Sequence, residues 1–352
     1  MKKSMKKGIL SILLVLCMIL GLLPMPAFAT DIVQVTFRLN NSSNSISKSI
    51  TPSDTTLYYT TNTDKKFVVW DGDEAPTDND SYIKVYYPVA DEPVVYVTLN
   101  KIDAAYSTSS YGNSYHAIYF GEGAYSLNII LQGENTITTG TNACIHTCAS
   151  NGTTITGSGS LTLSSTAAPG CITVRRGNLL IKDTTLNITN TSTSWRHAIL
   201  LDSCDANGAI GSNNLTIEGS TVNTTTNTGA FVFFGKVTGT NTHGAAYTDN
   251  VSNRTLNIRN STVTAITAVG SNNHVFKTNT SPVFEYSNIT ASCSVSSNRL
   301  FRVAPTLVGM NVYGSVNADG TGSVDYNPDN LSTYRYVQTT HTCTPESDDC
   351  NC

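Results

Sequence analysis

The sequence predicts an all-β fold, a right-handed parallel β-helix (solenoid) with an N-terminal β-rich cap. Three observations support this prediction. Apolar and polar residues alternate with period two, which places them on opposite faces of a strand. A short segment with this alternation recurs along the chain, and a turn-forming residue follows it at a fixed position. Because strands with one apolar face cannot bury that face alone, we expect the units to stack as coils.

The repeating units align on one inward-facing apolar residue. This residue is Ile155, Ile181, Ile217, Ile258 and Phe284 in the segments TITGSGSLTL, LLIKDTTLNIT, LTIEGSTVNTT, LNIRNSTVTAI and VFEYSNITA. The aligned residues are separated by 26, 36, 41 and 26 positions. A looser copy, LNIILQGENTI, begins at Leu127. The two longer units carry extra loops, which we place at residues 202–214 and 235–253.

Each unit is predicted to turn a corner two residues after its inward-facing apolar residue. The first four aligned units carry Gly157, Asp183, Gly219 and Asn260 at this position. Glycine, asparagine and aspartate tolerate the backbone angles of tight bends better than other residues do. The sequence therefore predicts a column of corners here.

The first segment of the chain, residues 1–29, has the pattern of a secretory signal peptide. A basic start precedes an apolar run over residues 9–23, and the segment ends with the small-residue motif Ala27-Phe28-Ala29. We therefore expect the protein to be secreted or held at the cell surface. The apolar run is shorter than the roughly 20 residues of a spanning helix, and no second run follows, so no membrane span is expected.

Three further segments complete the predicted organisation. Residues 30–92 do not repeat and contain the strand-like segments TLYYT, KFVVW and YIKVYY. We interpret them as a cap, because an uncovered coil leaves a strand edge open to aggregation. Residues 93–337 form the predicted β-helix, and residues 338–352 form a predicted cysteine-rich, disordered tail.

A spacing of 27 residues aligns ACIHTC, GCITVR and HAILLD, the segments that begin at Ala143, Gly170 and His197. This register places Cys144 over Cys171 on adjacent coils, within reach of a disulfide bond. It also places Arg175 over Asp202, where we expect an exposed ion pair worth about 0 to 1 kcal/mol. Cys144, His146 and Cys148 alternate along one strand as a possible soft-metal edge, but disulfides or stacked thiols are favoured over zinc.

Composition limits the classes of function. Charged residues make up 13% of the chain, the formal net charge is −4, and the sequence has no basic stripe that would bind a phosphate backbone. Nucleic acid is therefore not an expected partner. The apolar content of 39%, with its regular alternation, favours packed strands over disorder.

The segments VVYVTLNKIDA, LNIILQGENTI and TITGSGSLTL resemble secreted β-helix proteins of Gram-positive bacteria, of the carbohydrate-binding-domain-containing type. The resemblance extends loosely to about residue 337 and lies near the pectate-lyase-like β-solenoids. It implies binding of a polysaccharide or cell-wall glycan. Three hypotheses follow: non-catalytic polysaccharide binding or adhesion, a polysaccharide lyase or hydrolase of the β-helix type, and a structural surface scaffold without a ligand.

Aromatic side chains are the main candidates for sugar contacts. Flat rings on a rigid scaffold can stack on sugar faces while their polar groups form hydrogen bonds. The candidate residues are Tyr106, Tyr111, Tyr115, Tyr119 and Trp195. The alternative is that the tyrosines cover the N-terminal end of the hydrophobic column.

The catalytic hypothesis and the metal hypothesis depend on charged residues. A lyase needs a basic side chain as general base near carboxylates that hold calcium. If the protein is an enzyme, the candidates are Arg176, Lys182 and Asp183, although surface charge is the favoured interpretation. The loop WDGDEAPTDND could bind calcium, although a solvated turn is favoured, and no other cofactor is expected. Its candidate ligands are Asp71, Asp73, Asp78 and Asp80.

Overall fold

The computed structural model describes most of the chain from residue 35 to residue 341. The described ranges are 35–40, 45–53, 56–89, 92–106, 116–166, 169–193, 196–202, 213–237, 247–248, 254–268, 274–295, 299–330 and 333–341. The predicted signal peptide lies outside these residues. In the described ranges the secondary structure consists of β-strands and one turn of 3-10 helix, Pro328–Asn330, which confirms the all-β prediction.

Five strands precede the solenoid, and 23 further strands lie between residues 94 and 308. The first five are β1 (Val35–Asn40), β2 (Ser45–Ile50), β3 (Thr56–Thr61), β4 (Phe67–Val69) and β5 (Tyr82–Tyr86). The others are β6 (Val94–Asn100), β7 (Asp103–Tyr106), β8 (Ile118–Gly123), β9 (Ser126–Gln132), β10 (Glu134–Thr139), β11 (Ile145–Ala149), β12 (Thr153–Thr156), β13 (Ser160–Ser165), β14 (Gly170–Val174), β15 (Leu179–Lys182), β16 (Thr185–Asn190), β17 (His197–Asp202), β18 (Leu215–Glu218), β19 (Thr221–Thr226), β20 (Val232–Val237), β21 (Tyr247–Thr248), β22 (Leu256–Arg259), β23 (Thr262–Thr267), β24 (His274–Lys277), β25 (Val283–Glu285), β26 (Asn288–Cys293), β27 (Arg299–Phe301) and β28 (Thr306–Val308). Three strands follow them: β29 (Met310–Ser315), β30 (Val324–Asp325) and β31 (Tyr336–His341).

The strands form three sheets, and the solenoid strands visit the sheets in rotation. Sheet A has the order β2-β1-β8-β11-β14-β17-β20-β24-β27, with β21 beside β20. Sheet B has the order β28-β25-β22-β18-β15-β12-β9-β6-β5-β3-β4. Sheet C has the order β30-β29-β31-β26-β23-β19-β16-β13-β10-β7. Each coil contributes one strand to each sheet and pairs in parallel with the next coil, which is the topology of a parallel β-helix.

The predicted register of the repeats is confirmed. In sheet B, Ile155 pairs with Ile181, Ile181 with Ile217, Ile217 with Ile258, and Ile258 with Phe284. In sheet A, Ile145 pairs with Ile172 and Ile172 with Ile199, which is the predicted spacing of 27 residues. The aligned side chains of sheet B are fully buried and belong to one hydrophobic cluster. Burial of these apolar side chains drives the coils to stack.

The predicted corners lie between sheets B and C. Gly157, Asp183, Gly219 and Asn260 have φ values of 120°, 50°, 59° and 46°, so all four bend through the left-handed region. The next coil places Tyr286 at this position with a φ of 48°. Tyrosine is not a turn-forming residue, so residue type did not predict this corner.

A ladder of serine hydroxyls fastens the corners to one another. The hydroxyls of Ser220, Ser261 and Ser287 each accept a hydrogen bond at 3.2 Å from a backbone N–H on the preceding coil. Each hydroxyl also donates to the carbonyl two residues earlier in its own coil, at 2.5 to 2.8 Å. This serine ladder satisfies backbone groups that the tight bend removes from the strand pairing.

The N-terminal strands continue the sheets of the solenoid. β1 pairs antiparallel with β8 at the end of sheet A, and β5 pairs antiparallel with β6 at the end of sheet B. The described residues between 35 and 89 belong to the same compact unit as the coils. At sheet C, the backbone N–H of Ala105 in β7 donates to Lys65 in the β3–β4 turn at 2.9 Å.

The C-terminal end differs from the predicted boundary at residue 337. β31 continues to His341 and pairs antiparallel with both β26 and β29, so residues 338–341 belong to sheet C. Thr339 is 2% exposed, and its hydroxyl accepts a hydrogen bond from the N–H of Ile289 at 2.8 Å. This strand closes sheet C where the parallel coils end. The remaining residues of the predicted tail, 342–352, lie outside the described residues.

Candidate functional site

A polar groove follows the corners between sheets B and C. We call it the corner groove; it spans four coils, about 14 Å along the solenoid axis at about 4.8 Å per coil. Its volume is about 620 Å³, which is within the range of small-ligand sites. Its lining residues are Lys182, Asp183, Glu218, Gly219, Asn260, Ser261, Thr262, Tyr286, Asn288 and His341.

A column of alternating charges in sheet B adjoins the corner groove, and two of its members, Lys182 and Glu218, line the groove. Lys182, Glu218, Arg259 and Glu285 occupy the same position in four successive strands of sheet B. Lys182 pairs with Glu218 at 3.5 Å and Arg259 with Glu285 at 2.7 Å. All four side chains are partly exposed, so each pair contributes about 0 to 1 kcal/mol to stability. The positive and negative charges cancel along this column. The charged groups of Lys182 and Glu218 lie beside the groove.

The corner backbone directs polar and aromatic side chains into the groove. The N–H groups of Asp183, Asn260 and Tyr286 donate to carbonyls of the following coil at 3.0 to 3.1 Å. These hydrogen bonds hold the left-handed bend, and the side chains point away from the buried column. A carboxylate, an amide and an aromatic ring therefore line the groove, on three of its four coils.

Tyr286 provides a flat surface at the C-terminal end of the groove. A Cβ atom on Gly309 would overlap the Tyr286 ring, so this glycine provides space for the ring on the next coil. The His341 ring lies edge-on to Tyr286, with 5.5 Å between ring centroids and 76° between ring planes. The N–H of His341 donates to Asn288 Oδ1 at 3.1 Å, which anchors this histidine beside the groove.

The three residues of the catalytic hypothesis do not form one site. Lys182 and Asp183 lie together in the corner groove, at the C-terminal end of β15. Arg176 precedes β15 at the opposite end, where it pairs with Glu122 at 3.1 Å. Arg176 and Lys182 therefore lie at opposite ends of β15.

The structure describes two of the five aromatic candidates, Tyr106 and Tyr119. Tyr106 is 4% exposed and belongs to the main hydrophobic cluster, in agreement with the alternative that this ring covers the column. Tyr119 is partly buried in sheet A, where its ring lies 5.3 Å from His146 and 5.3 Å from the guanidinium of Arg38. Tyr111, Tyr115 and Trp195 lie outside the described residues.

A histidine and cysteine cluster lies beside Tyr119 on sheet A. The rings of His116 and His146 stack with 4.2 Å between centroids, and His146 Nε2 lies 3.4 Å from Cys148 Sγ. Burial raises the pKa of the Cys148 thiol to about 12. The thiol therefore stays protonated at neutral pH, which does not suit a nucleophile. We interpret the cluster as packing.

Cys144 and Cys171 stack on adjacent coils as predicted. The backbone N–H of Cys144 donates to the carbonyl of Cys171 at 2.9 Å, and both residues are buried thiols in this structure. Cys144 lies in the core cluster, whereas Cys148 contacts His146, so the alternating residues 144, 146 and 148 do not share one face. The disulfide between Cys144 and Cys171 stays a prediction.

Hydrogen bonds within the acidic loop hold Asp80. The Asp80 carboxylate accepts hydrogen bonds from the backbone N–H and the hydroxyl of Thr77, at 2.7 and 2.8 Å, and these bonds lower its pKa. Within the described residues, no three His, Cys, Asp or Glu side chains are arranged to hold a metal ion. Calcium binding by Asp71, Asp73, Asp78 and Asp80 stays a prediction, and Asp80 lies in a hydrogen-bonded turn with Thr77.

The predicted exposure of the ion pair between Arg175 and Asp202 is wrong for Asp202. Asp202 is 3% exposed. Burial lowers the pKa of the Arg254 guanidinium, and the negative charge of Asp202 offsets part of this decrease. Leu200 and Phe233, which point outward from sheet A, are 0% and 3% exposed. The outer face of this sheet is therefore covered at Leu200 and Phe233.

Comparison of the chain with protein-family models, with curated proteins and with solved structures finds no match. In the described part of the chain, no helix has the length and hydropathy needed to cross a membrane.

Sequence reasoning identified two members of the corner groove, Lys182 and Asp183, but did not predict the groove itself. The groove forms because residues 36, 41 and 26 positions apart are stacked by the coils. One signal was available: the residue after the inward-facing Ile or Phe reads Lys, Glu, Arg and Glu in four successive units. Alternating charge at one repeat position indicates a column that faces solvent.

Proposed function

We propose that the protein is an extracellular β-helix that binds polysaccharide without converting it chemically, and that the corner groove is its binding site. The observation that carries this proposal is the Tyr286 ring beside a row of amides, hydroxyls and paired charges in an elongated groove. Aromatic rings stack on sugar faces, and the surrounding polar groups bind sugar hydroxyls. A groove of about 14 Å accommodates several sugar units of an extended chain.

The geometry supports binding over a lyase reaction. A lyase needs a basic group that is close to the sugar and available to accept a proton. In the groove, the Lys182 ammonium lies 3.5 Å from Glu218, and Arg176 lies beyond the other end of β15. The polar groups of the groove are instead spread over four coils, as is suitable for contacts along a chain.

Removal of the Tyr286 ring tests this proposal. A panel of four glycan polymers is immobilised: homogalacturonan, xylan, mixed-linkage β-glucan and peptidoglycan. Binding of the purified protein to each polymer is measured at several protein concentrations. We expect the wild-type protein to bind at least one polymer and Tyr286→Ala to weaken that binding by about tenfold. Tyr313→Ala is the matched control, because Tyr313 is exposed but lies outside the groove. Equal binding by Tyr286→Ala and wild type would remove the corner groove as the site.

A further inference from the structure

The outer face of sheet C is a regular array of small, uncharged polar side chains. Three outward-facing columns cross β10, β13, β16, β19, β23 and β26. The columns are Glu134, Ser160, Thr185, Thr221, Thr262 and Asn288; Thr136, Thr162, Asn187, Asn223, Thr264 and Thr290; and Thr138, Ser164, Thr189, Thr225, Ile266 and Ser292. Every position except Glu134 and Ile266 is threonine, serine or asparagine, and none is buried. We call this surface the threonine lattice.

The threonine lattice is regular in two directions. Each of the five strand pairings joins six residues to six residues in continuous register. The columns therefore repeat at about 4.8 Å along the solenoid axis, and neighbouring columns lie about 6.6 Å apart along a strand. The chain keeps this spacing although the intervening segments in the other sheets differ in length. Insertions are accommodated elsewhere in the coil, and the lattice remains continuous.

The side chains of the lattice have little freedom to lose on binding. Threonine is branched at Cβ and is restricted in χ1, so its methyl and hydroxyl groups keep fixed positions on a strand. Asn223 donates from Nδ2 to Asn187 Oδ1 at 3.0 Å, which orients the two amides in one column. An ordered surface pays a smaller entropic cost when it meets a ligand than a surface of long side chains does.

The chemistry of the lattice selects an uncharged ligand with its own repeat. Sheet B carries a column of alternating charges, whereas the lattice has one charged position, Glu134, at its N-terminal edge. The lattice has no aromatic ring for stacking, so its contacts are hydrogen bonds and threonine methyl contacts. A sugar in an extended polysaccharide advances by about one coil spacing, so hydroxyls on a packed chain face recur at matching intervals.

We propose that the threonine lattice is a second binding surface, which lies flat on packed chains of an uncharged, insoluble polysaccharide. This inference rests on the proposed function and extends it from a single chain in the corner groove to an ordered polymer surface. The two surfaces meet at Thr262 and Asn288, which belong to both. A chain end or loose chain could therefore enter the groove while the lattice lies on the bulk polymer.

Sedimentation with insoluble particles tests the lattice. Purified protein is mixed with microcrystalline cellulose or with crystalline chitin, and the fraction that sediments is measured. Thr225→Lys introduces a long charged side chain in the middle of the lattice at an exposed position. The matched control is Thr216→Lys on the outer face of sheet B. We expect Thr225→Lys to lower the partition onto particles by about tenfold, and Thr216→Lys to leave it unchanged, with thermal midpoints close to that of the wild type.

The outcomes separate this proposal from the proposed function. Tyr286→Ala should bind particles as the wild type does and bind soluble polysaccharide more weakly. Thr225→Lys should bind particles more weakly and bind soluble polysaccharide as the wild type does. Lattice-dependent sedimentation without any groove-dependent soluble binding would reject only the groove. Sedimentation that Thr225→Lys does not change, or no sedimentation with either particle, would overturn the lattice proposal. Adsorption of the wild type to ice crystals but not to polysaccharide would also overturn it and would assign the surface to ordered water.

Discussion

Single residues in this solenoid have different roles according to the side of the coil that they face. Asn190 is 1% exposed and donates from its amide to the carbonyl of His197 at 3.0 Å, so it completes a turn. Asn260 lies at a left-handed corner and lines the corner groove. The residue type is the same, and the orientation set by the backbone decides between structural and binding roles.

His197 gives a prediction at the residue scale. Burial, with Lys277 and Arg196 nearby, lowers the pKa of His197 to about 3, and its Nδ1 accepts a hydrogen bond from the Ala230 N–H at 3.0 Å. The unfolded chain binds a proton at this residue near pH 6.5, but the folded chain binds it only near pH 3. Unfolding therefore takes up a proton between these values, and stability falls as pH is lowered through this window.

The measurement is the free energy of unfolding from urea titrations at pH 6.5 and pH 4.5. The wild type should lose about 2 to 3 kcal/mol more over this interval than His197→Asn, whose amide oxygen can still accept from the Ala230 N–H. The carboxylates titrate in both proteins, so the difference between the two isolates His197. Equal losses in the two proteins would show that His197 is not held neutral.

At the scale of elements, the corner between sheets B and C organises both the fold and the candidate site. The serine ladder joins Ser220, Ser261 and Ser287 on the inner side of the bend. Asn260 and Tyr286 directly precede Ser261 and Ser287, and both line the groove. In these two corners the first residue faces the groove and the second residue joins the serine ladder.

Ser261→Ala tests the ladder. The change removes the acceptor of the Ser220 N–H, which belongs to a buried residue. It also removes one of two donors to the Arg259 carbonyl, which still accepts from the Gly219 N–H at 3.2 Å. We expect a loss of about 1 to 3 kcal/mol in the free energy of unfolding, measured in urea. Ser164→Ala, on the partly exposed outer face of sheet C, is the control and should change stability by less than about 0.5 kcal/mol. Similar losses in the two variants would contradict the ladder.

The sequence predicted the elements of the fold well because their signals are local. Alternation and turn-forming residues located the repeats, the inward-facing column and the corners from Gly157 to Asn260. Tyr286 was missed because the corner is imposed by its neighbours in the stack and not by its own preference. The burial of Asp202 was missed, since period-two alternation assigns a face to a side chain but does not reveal what covers that face. The burial of Tyr106 was one of the two alternatives that the sequence left open.

At the scale of the whole molecule, antiparallel strands close sheets that would otherwise end in open edges. Sheets A and B are extended by β1 to β5 at the N-terminal end, and sheet C by β29 to β31 at the C-terminal end. Between these ends, one hydrophobic cluster runs from Val35 to Val337. The coils share this cluster, so we expect damage in a central coil to affect the whole stack.

Ile181→Asp tests this shared core. Ile181 is fully buried and pairs with Ile155 and Ile217, so the new carboxylate would be an unpaired charge in the column. We expect a cost of about 3 to 5 kcal/mol and a large decrease in the thermal midpoint. Leu180→Asp is the matched control, because the adjacent side chain points outward and is partly exposed. Retention of the wild-type midpoint by Ile181→Asp would show that the register is wrong.

The central claim, binding of polysaccharide without conversion, is tested most directly by one combined assay. The wild-type protein is run through gels that contain each soluble polymer of the panel, while parallel incubations are monitored for unsaturated products and new reducing ends. We expect the migration of the wild-type protein to be retarded in at least one polymer and Tyr286→Ala to reduce this retardation. We expect no more product than in the protein-free control. Product formation, or unretarded migration in every polymer, would contradict the central claim.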